Sequence, residues 1–457
     1  MVRESDKSAR DSGSGIAAAI LLLGLIVIVP PARGQAKPES GAAPQNALAS
    51  TSREPKAEDY FLSPETRRKA IEYSHTRYAL YFLGVALSLA IYVLAWRLKL
   101  GVSFRNWARR LSRRHFVQTL AFVPLFLAAV SLAQFPLDYY SGFVVEHRFN
   151  LATQTFASWL ADWGKGFAIS ALFLVFLTWV LYLIIRHSPR RWWFYFWLFT
   201  IPVTLGVILL QPVIVDPLFF KFTPLENTRP ELATRIEAML SKSGLDIPRQ
   251  RIFEMNASSK TKTVNAYVTG LSRSKRLVIW DNTIEKLTPD ETLLVVGHET
   301  GHYALGHIPK MFVLIELVSL IFIYLGFVAV EKSVARWGAP TGLEGVGDLA
   351  SLPVLFLALT VVSFLASPAI GAISRHYEHQ ADQYGLELAY GTVPDPNAAD
   401  ARSFRVLGQE DLADPDPSPF IKFWLYTHPP LEDRIRFALS YKPWAEGKPL
   451  ELVHSGQ

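Results

Sequence analysis

His298, Glu299 and His302 stand in the run Gly297-His298-Glu299-Thr300-Gly301-His302, an H-E-x-x-H pentad. Residues four apart share one face of a helix, so two imidazoles at this spacing can ligate one metal ion while the carboxylate between them points at its open position. Zinc suits the pattern. It takes imidazole nitrogen, keeps a position for water, lowers the pKa of that water to about 7 and polarises a carbonyl oxygen. A glutamate beside such a water can take its proton and pass it to a leaving amine. These residue types at this spacing therefore nominate a metallopeptidase.

The pentad works only in a helix interior, and its flanks predict one. Leu277-Val278-Ile279-Trp280 reads as a short apolar strand, and Thr288-Pro289-Asp290-Glu291 as a capping box with proline at the first helical position. No proline interrupts Leu293 to Leu305, and Gly306 with Pro309 supplies the stop.

A zinc peptidase usually needs a third protein ligand. His307 is nearest, but the extended metzincin pattern would require glycine at Leu305 and histidine at Ile308. The chain departs from that pattern at both positions. The run Ser374-Arg375-His376-Tyr377-Glu378-His379-Gln380-Ala381-Asp382 places Glu378 and Asp382 on one helical face. Glu378 can bind the metal while Asp382 accepts the second ring N–H of a ligand histidine and fixes its tautomer. His376 and His379 compete as ligands, and a solvated acidic face has the same spacing.

HETGHYALGH, SRHYEHQAD, NAYVTGLSRSKRLVIWD (Asn265 to Asp281) and THPPLEDR (Thr427 to Arg434) together resemble the type I CAAX prenyl endopeptidases, membrane zinc proteases related to the shorter HtpX-like bacterial proteases. The resemblance continues upstream through Glu146-His147-Arg148-Phe149, Gln154-Thr155-Phe156 and the run Pro217 to Glu226, and covers most of the chain from about residue 60. It implies His298, His302 and Glu378 as zinc ligands, Glu299 as general base and Asp382 as the partner behind a ligand. It further implies that Asn265 aligns the substrate backbone beside an edge strand and that His428 contacts substrate or the developing oxyanion. By residue type alone, Asn265 also fits a turn and His428, before Pro429-Pro430, a loop. Arg434 reads as a structural ion-pair residue outside the site. The fold the resemblance implies is an α-helical polytopic membrane protein, six or seven spans around a water-filled chamber, with a small α+β zinc-metalloprotease domain of gluzincin type.

Composition agrees with a membrane setting: the 457 residues are 50% hydrophobic and the mean hydropathy is +0.20. Six segments approach the roughly 20 residues needed to cross a hydrocarbon core: Tyr78–Trp96, Phe116–Ala133, Phe167–Ile185, Trp192–Val215, Met311–Val330 and Leu352–Ile373. Trp192-Trp193 and other aromatic residues at span ends suit interfacial anchoring. Glu316 lies inside an apolar span, where facing lipid is costly, so it is expected to face protein or a wet cavity. Ile16–Val29, with basic residues before it and Ala32-Arg33-Gly34 after it, fits a cleavable leader or an uncleaved first helix, and Gln35–Ala57 fits a flexible linker.

The expected organisation is a leader or first helix (1–34), a linker and pre-membrane segment (35–77) and a four-span membrane domain (78–215). A catalytic domain (216–310), a two-span hairpin (311–373) and a C-terminal segment that completes the site (374–457) follow. Both pentad histidines and Glu378 can meet only if the hairpin returns the chain to the same membrane face. Arg97 to His115 and Arg186 to Arg191 are rich in arginine and should be cytoplasmic, which puts the zinc site on the outer face. The eukaryotic members of the resembled family work towards the cytosol, and a reporter fused after Gln457 distinguishes the two orientations.

The net charge of +6 comes from basic residues flanking spans, so anionic lipid rather than nucleic acid explains it. The chain has no cysteine, which removes disulfides and thiolate ligands. The expected partners are a peptide or protein substrate and the lipid bilayer, and the leader-like start suggests a bacterial inner membrane. A quality-control protease of HtpX type is the alternative task. A non-proteolytic zinc-binding scaffold or transporter is the alternative class, but it leaves Glu299 without a role.

Overall fold

A computed structural model describes residues 62–245, 247–270 and 274–453. The expected leader at Ile16–Val29 and the linker at Gln35–Ala57 lie outside the described residues. Helix α1 spans Pro64–Arg97, α2 Leu100–Leu111, α3 His115–Tyr139, α4 Phe156–His187 and α5 Trp192–Leu210. Strands β1 (Phe222–Pro224), β2 (Ile252–Met255), β3 (Ala266–Thr269) and β4 (Arg276–Trp280) follow, with α6 (Pro230–Lys242) after β1. The pentad helix α7 is Pro289–Ala304, and α8 (His307–Thr341), α9 (Leu352–Ala389), α10 (Pro396–Glu410) and α11 (Leu431–Ser440) complete the chain.

Six of the described helices are long and apolar enough to cross a membrane: α1, α3, α4, α5, α8 and α9, three of them prolonged by short helical turns. Each contains one of the six segments expected from sequence. The helices outrun those segments because a polar end can stay helical beyond the bilayer. Thus α1 begins at Pro64, capped by the Ser63 hydroxyl, which accepts from the Thr66 N–H at 3.1 Å. The boundary expected at residue 78 falls inside this helix. Likewise α9 runs unbroken to Ala389, so the boundary expected at 373 falls inside the helix that carries Glu378. Glu316 faces protein as expected: it is buried, with Oε2 3.4 Å from the Ser319 hydroxyl and 3.5 Å from that of Thr200 on α5.

The sheet has the order β1-β2-β4-β3. β1 is antiparallel to β2, β2 parallel to β4, and β3 antiparallel to β4 with Ala266 opposite Ile279. Among the described residues β3 pairs only with β4, so it is an edge strand. One core joins this sheet to the membrane helices: Leu277 and Ile279 of β4, Leu293 to Val296 of α7, Tyr73 of α1 and Leu386 and Leu388 of α9 belong to the same buried cluster. The α+β unit is therefore built onto the ends of spans rather than tethered to them.

The pentad helix starts where its sequence says it should. The Thr288 hydroxyl accepts from the Glu291 N–H at 3.3 Å, and the Glu291 carboxylate accepts from the Thr288 N–H at 2.9 Å. It stops because Gly306 adopts φ +66°, a left-handed conformation that glycine takes without a steric penalty. Pro309 belongs to the first turn of α8 instead. Helices α7 and α9 meet at glycines: a Cβ on Gly297 would come within 3.1 Å of the Gly385 backbone, and one on Gly385 within 2.9 Å of the His298 nitrogen. Only bare backbone at this crossing lets the pentad face and the Glu378 face approach.

Candidate metal centre

His298 and His302 project from α7 towards Glu378 on α9. Their Nε2 atoms are 3.2 Å apart, and the Glu378 carboxylate lies 3.2 Å from the first and 3.5 Å from the second. One ligand atom from each of the three residues falls within 4.8 Å of the others. Glu378 is buried, and among the described residues its Oε2 has no hydrogen-bond partner although two ring nitrogens, from His298 and His428, stand at 3.2 Å. Convergent lone pairs that do not satisfy one another are the donor set a cation requires, and two imidazole nitrogens of intermediate softness with one hard carboxylate oxygen make a set that fits zinc.

The far side of His298 explains its orientation. Its Nδ1 lies 2.7 Å from Asp382 Oδ1, one helical turn beyond Glu378, so the ring N–H is spent on the carboxylate and Nε2 is left for the metal. Arg434 of α11 then grips Asp382 with both arms of its guanidinium, Nη2 at 2.5 Å from Oδ1 and Nε at 2.9 Å from Oδ2. The guanidinium also lies over the Phe404 ring, 4.2 Å from its centroid. Burial opposes the charge of Arg434, but Asp382 beside it outweighs that opposition and raises its pKa. At His302 the balance goes the other way: burial pushes the imidazole below its usual range despite the pull of Glu378, which keeps the ring neutral and available as a ligand.

Glu299 is buried next to His298 on α7. His428 reaches the centre from the loop before α11, with Nδ1 2.9 Å from the Thr427 hydroxyl. Asn265 sits immediately before edge strand β3, held by its backbone: its N–H donates to the Thr283 hydroxyl at 2.7 Å and its carbonyl accepts from the Trp280 N–H at 3.0 Å. Its side-chain Oδ1 and Nδ2 are both buried without a hydrogen-bond partner among the described residues, which is costly unless something else uses them. Of the competing histidines, His379 packs on Phe437 at 4.4 Å and His376 lies beside Tyr377, so neither joins the three donors.

Arg434, set outside the site by sequence reading, is the arginine that fixes Asp382. Its position six residues past His428 was visible, but its burial was not, because α11 docks on α9 and α10 only in three dimensions. Asp400 on α10 was missed altogether. Burial pushes its carboxyl well above the ordinary range and the nearby Asp382 charge adds to this, while Arg434 and the Ser403 hydroxyl pull the other way. A carboxyl raised in the folded state contributes stability that is complete below its unfolded value, about 4, and is lost as pH rises through the folded value. Asp400→Asn removes that loss. Its thermal midpoint should therefore exceed that of the wild type at pH 8 and match it near pH 4; a difference independent of pH would contradict the upward shift of Asp400.

Fold and site together define a class: a polytopic integral-membrane metalloprotease. Residues 226–442 match the family model of Peptidase family M48, and residues 45–221 match that of the CAAX prenyl protease N-terminal region, five membrane helices. A Bacillus subtilis (strain 168) protein named uncharacterized metalloprotease YhfN is 35% identical over 378 residues, 83% of this chain and 86% of its own length. CAAX prenyl protease 1 of Saccharomyces cerevisiae is 28% identical over 339 residues, 71% of this chain and 72% of its own. The crystal structure of S. mikatae Ste24p superposes with a TM-score of 0.73 at 26% identity, covering 86% of this chain and 92% of that one. The chain belongs to peptidase family M48 and is a membrane metalloprotease of the CAAX prenyl protease-like kind.

Proposed function

We propose that the protein is a zinc-dependent endopeptidase in which His298, His302 and Glu378 hold one zinc ion. The observation that carries this reading is the convergence of those three donors to within 4.8 Å across the α8–α9 membrane hairpin. When bound, zinc supplies a Lewis acid for the scissile carbonyl and acidifies water for attack.

The protein's own residues do the rest. Glu299 takes the proton of the attacking water and returns it to the amine nitrogen as the C–N bond breaks. His428 stands beside the carboxylate that closes the site and donates towards the oxygen that gains charge. Asp382, clamped by Arg434, holds the His298 ring in its metal-facing tautomer. An extended substrate adds to the open side of β3, where its backbone supplies the partners that the Asn265 amide lacks. The substrate is a peptide or protein at the bilayer, and the setting is the inner membrane of a bacterium, a reading supported by the bacterial relative.

The test is cleavage of an unstructured reporter peptide by purified protein in detergent. A strong zinc chelator should abolish it, and added zinc should restore it. Cleavage that persists after chelation, with the metal shown to be gone, would rule the reading out.

A further inference from the structure

His307, nearest to the pentad but off the ligand register, is buried at 2% exposure and occupied. Gly306 turns the chain at φ +66° between α7 and α8, so the first residue of α8 folds back over His302. The two rings meet edge to face, with Nδ1 to Nδ1 at 3.1 Å. On its other side His307 Nε2 lies 3.1 Å from Gln380 Oε1, and its ring stacks on Tyr377 at 4.5 Å with an interplanar angle of 14°.

One arrangement of protons satisfies all of this. With Nε2 of His302 facing Glu378 and free of hydrogen, the ring proton sits on Nδ1 and is donated to His307 Nδ1. That nitrogen must then be an acceptor, so the proton of His307 is on Nε2, where it donates to the Gln380 amide oxygen. Every donor points away from the metal centre.

We propose that His307 and Gln380 form a neutral positioning chain that fixes the metal-facing tautomer of His302. It is the uncharged counterpart of the Asp382–Arg434 pair behind His298. One stretch of α9 thereby supplies the ligand Glu378, the Tyr377 stack and both outer acceptors, Gln380 and Asp382. The ligand histidines and Glu378 are referenced to the same rigid helix. Behind His298 stands a carboxylate whose charge Arg434 offsets, and behind His302 an amide dipole, so neither outer partner adds net negative charge to the site.

The proposal rests on His302 and Glu378 being ligands, and the test separates the two claims. Zinc release from the intact protein in detergent is followed with a chromogenic chelator for the wild type, Gln380→Met and Gln380→Glu. Methionine keeps the volume and removes the acceptor; glutamate restores an acceptor. Gln380→Met should release zinc about 10- to 100-fold faster, and Gln380→Glu should stay within about threefold of the wild type or be slower. Release by Gln380→Met at the wild-type rate, or by Gln380→Glu as fast as by Gln380→Met, would overturn the chain. A wild type with no stoichiometric zinc would instead remove the ligand assignment on which the chain depends.

Discussion

Glu299→Gln is expected to keep its zinc and lose peptide cleavage by about 100- to 10,000-fold. The amide has nearly the shape of the carboxylate, so the buried position on α7 is preserved, and Glu299 is not among the three donors that converge. What disappears is the base: an amide cannot accept the water proton and return it to the leaving nitrogen. Zinc content by elemental analysis and reporter cleavage, measured on the same preparation, check both halves. Full zinc with cleavage near the wild-type rate would contradict the role of Glu299. Because the variant binds without turning over, polypeptides captured by it in native membranes also separate prenylated C-terminal substrates from damaged membrane proteins.

Arg434→Ala should cost about 3–5 kcal/mol of stability, because it leaves the buried Asp382 carboxylate without its cation. Both side chains are nearly inaccessible, 3% and 1% exposed, so water cannot replace the lost partner. The damage passes to the metal. An Asp382 that must find a proton or swing towards solvent no longer accepts reliably from His298 Nδ1, and zinc affinity should fall about 10- to 100-fold. Arg434→Lys keeps the charge but not the two-armed geometry, and should fall between the wild type and the alanine variant. Thermal unfolding and zinc competition measure the two effects. An alanine variant with wild-type stability and wild-type affinity would show that the clamp has no bearing on the site.

The spans were legible because lipid demands long apolar runs, and the start of α7 was legible because a capping box is a local pattern. The helix ends were not. Pro64 to Arg77 falls in the expected pre-membrane segment and Ser374 to Ala389 in the expected C-terminal segment, yet they continue α1 and α9, since a helix leaving the bilayer needs a partner surface rather than apolarity. The α7–α9 crossing was hidden for a related reason. Gly297 and Gly385 matter only as a pair, and no spacing along the chain announces that they touch. His307, Gln380, Arg434 and Asp400 were each readable as residues but not as neighbours. Their roles arise from α8, α10 and α11 closing around α9, and long-range packing of this kind leaves no periodic trace. Glu378 was found through the family resemblance, because its spacing to Asp382 alone also describes a solvated acidic face.

The most direct test of the centre is the zinc content of wild type and Glu378→Ala, purified side by side in detergent after dialysis against a weak chelator. Removing Glu378 takes away the one ligand that arrives across the membrane hairpin. The wild type should retain one zinc per chain and Glu378→Ala almost none, while still binding lipid and unfolding cooperatively. One tightly held zinc per chain in Glu378→Ala would contradict a site built from His298, His302 and Glu378.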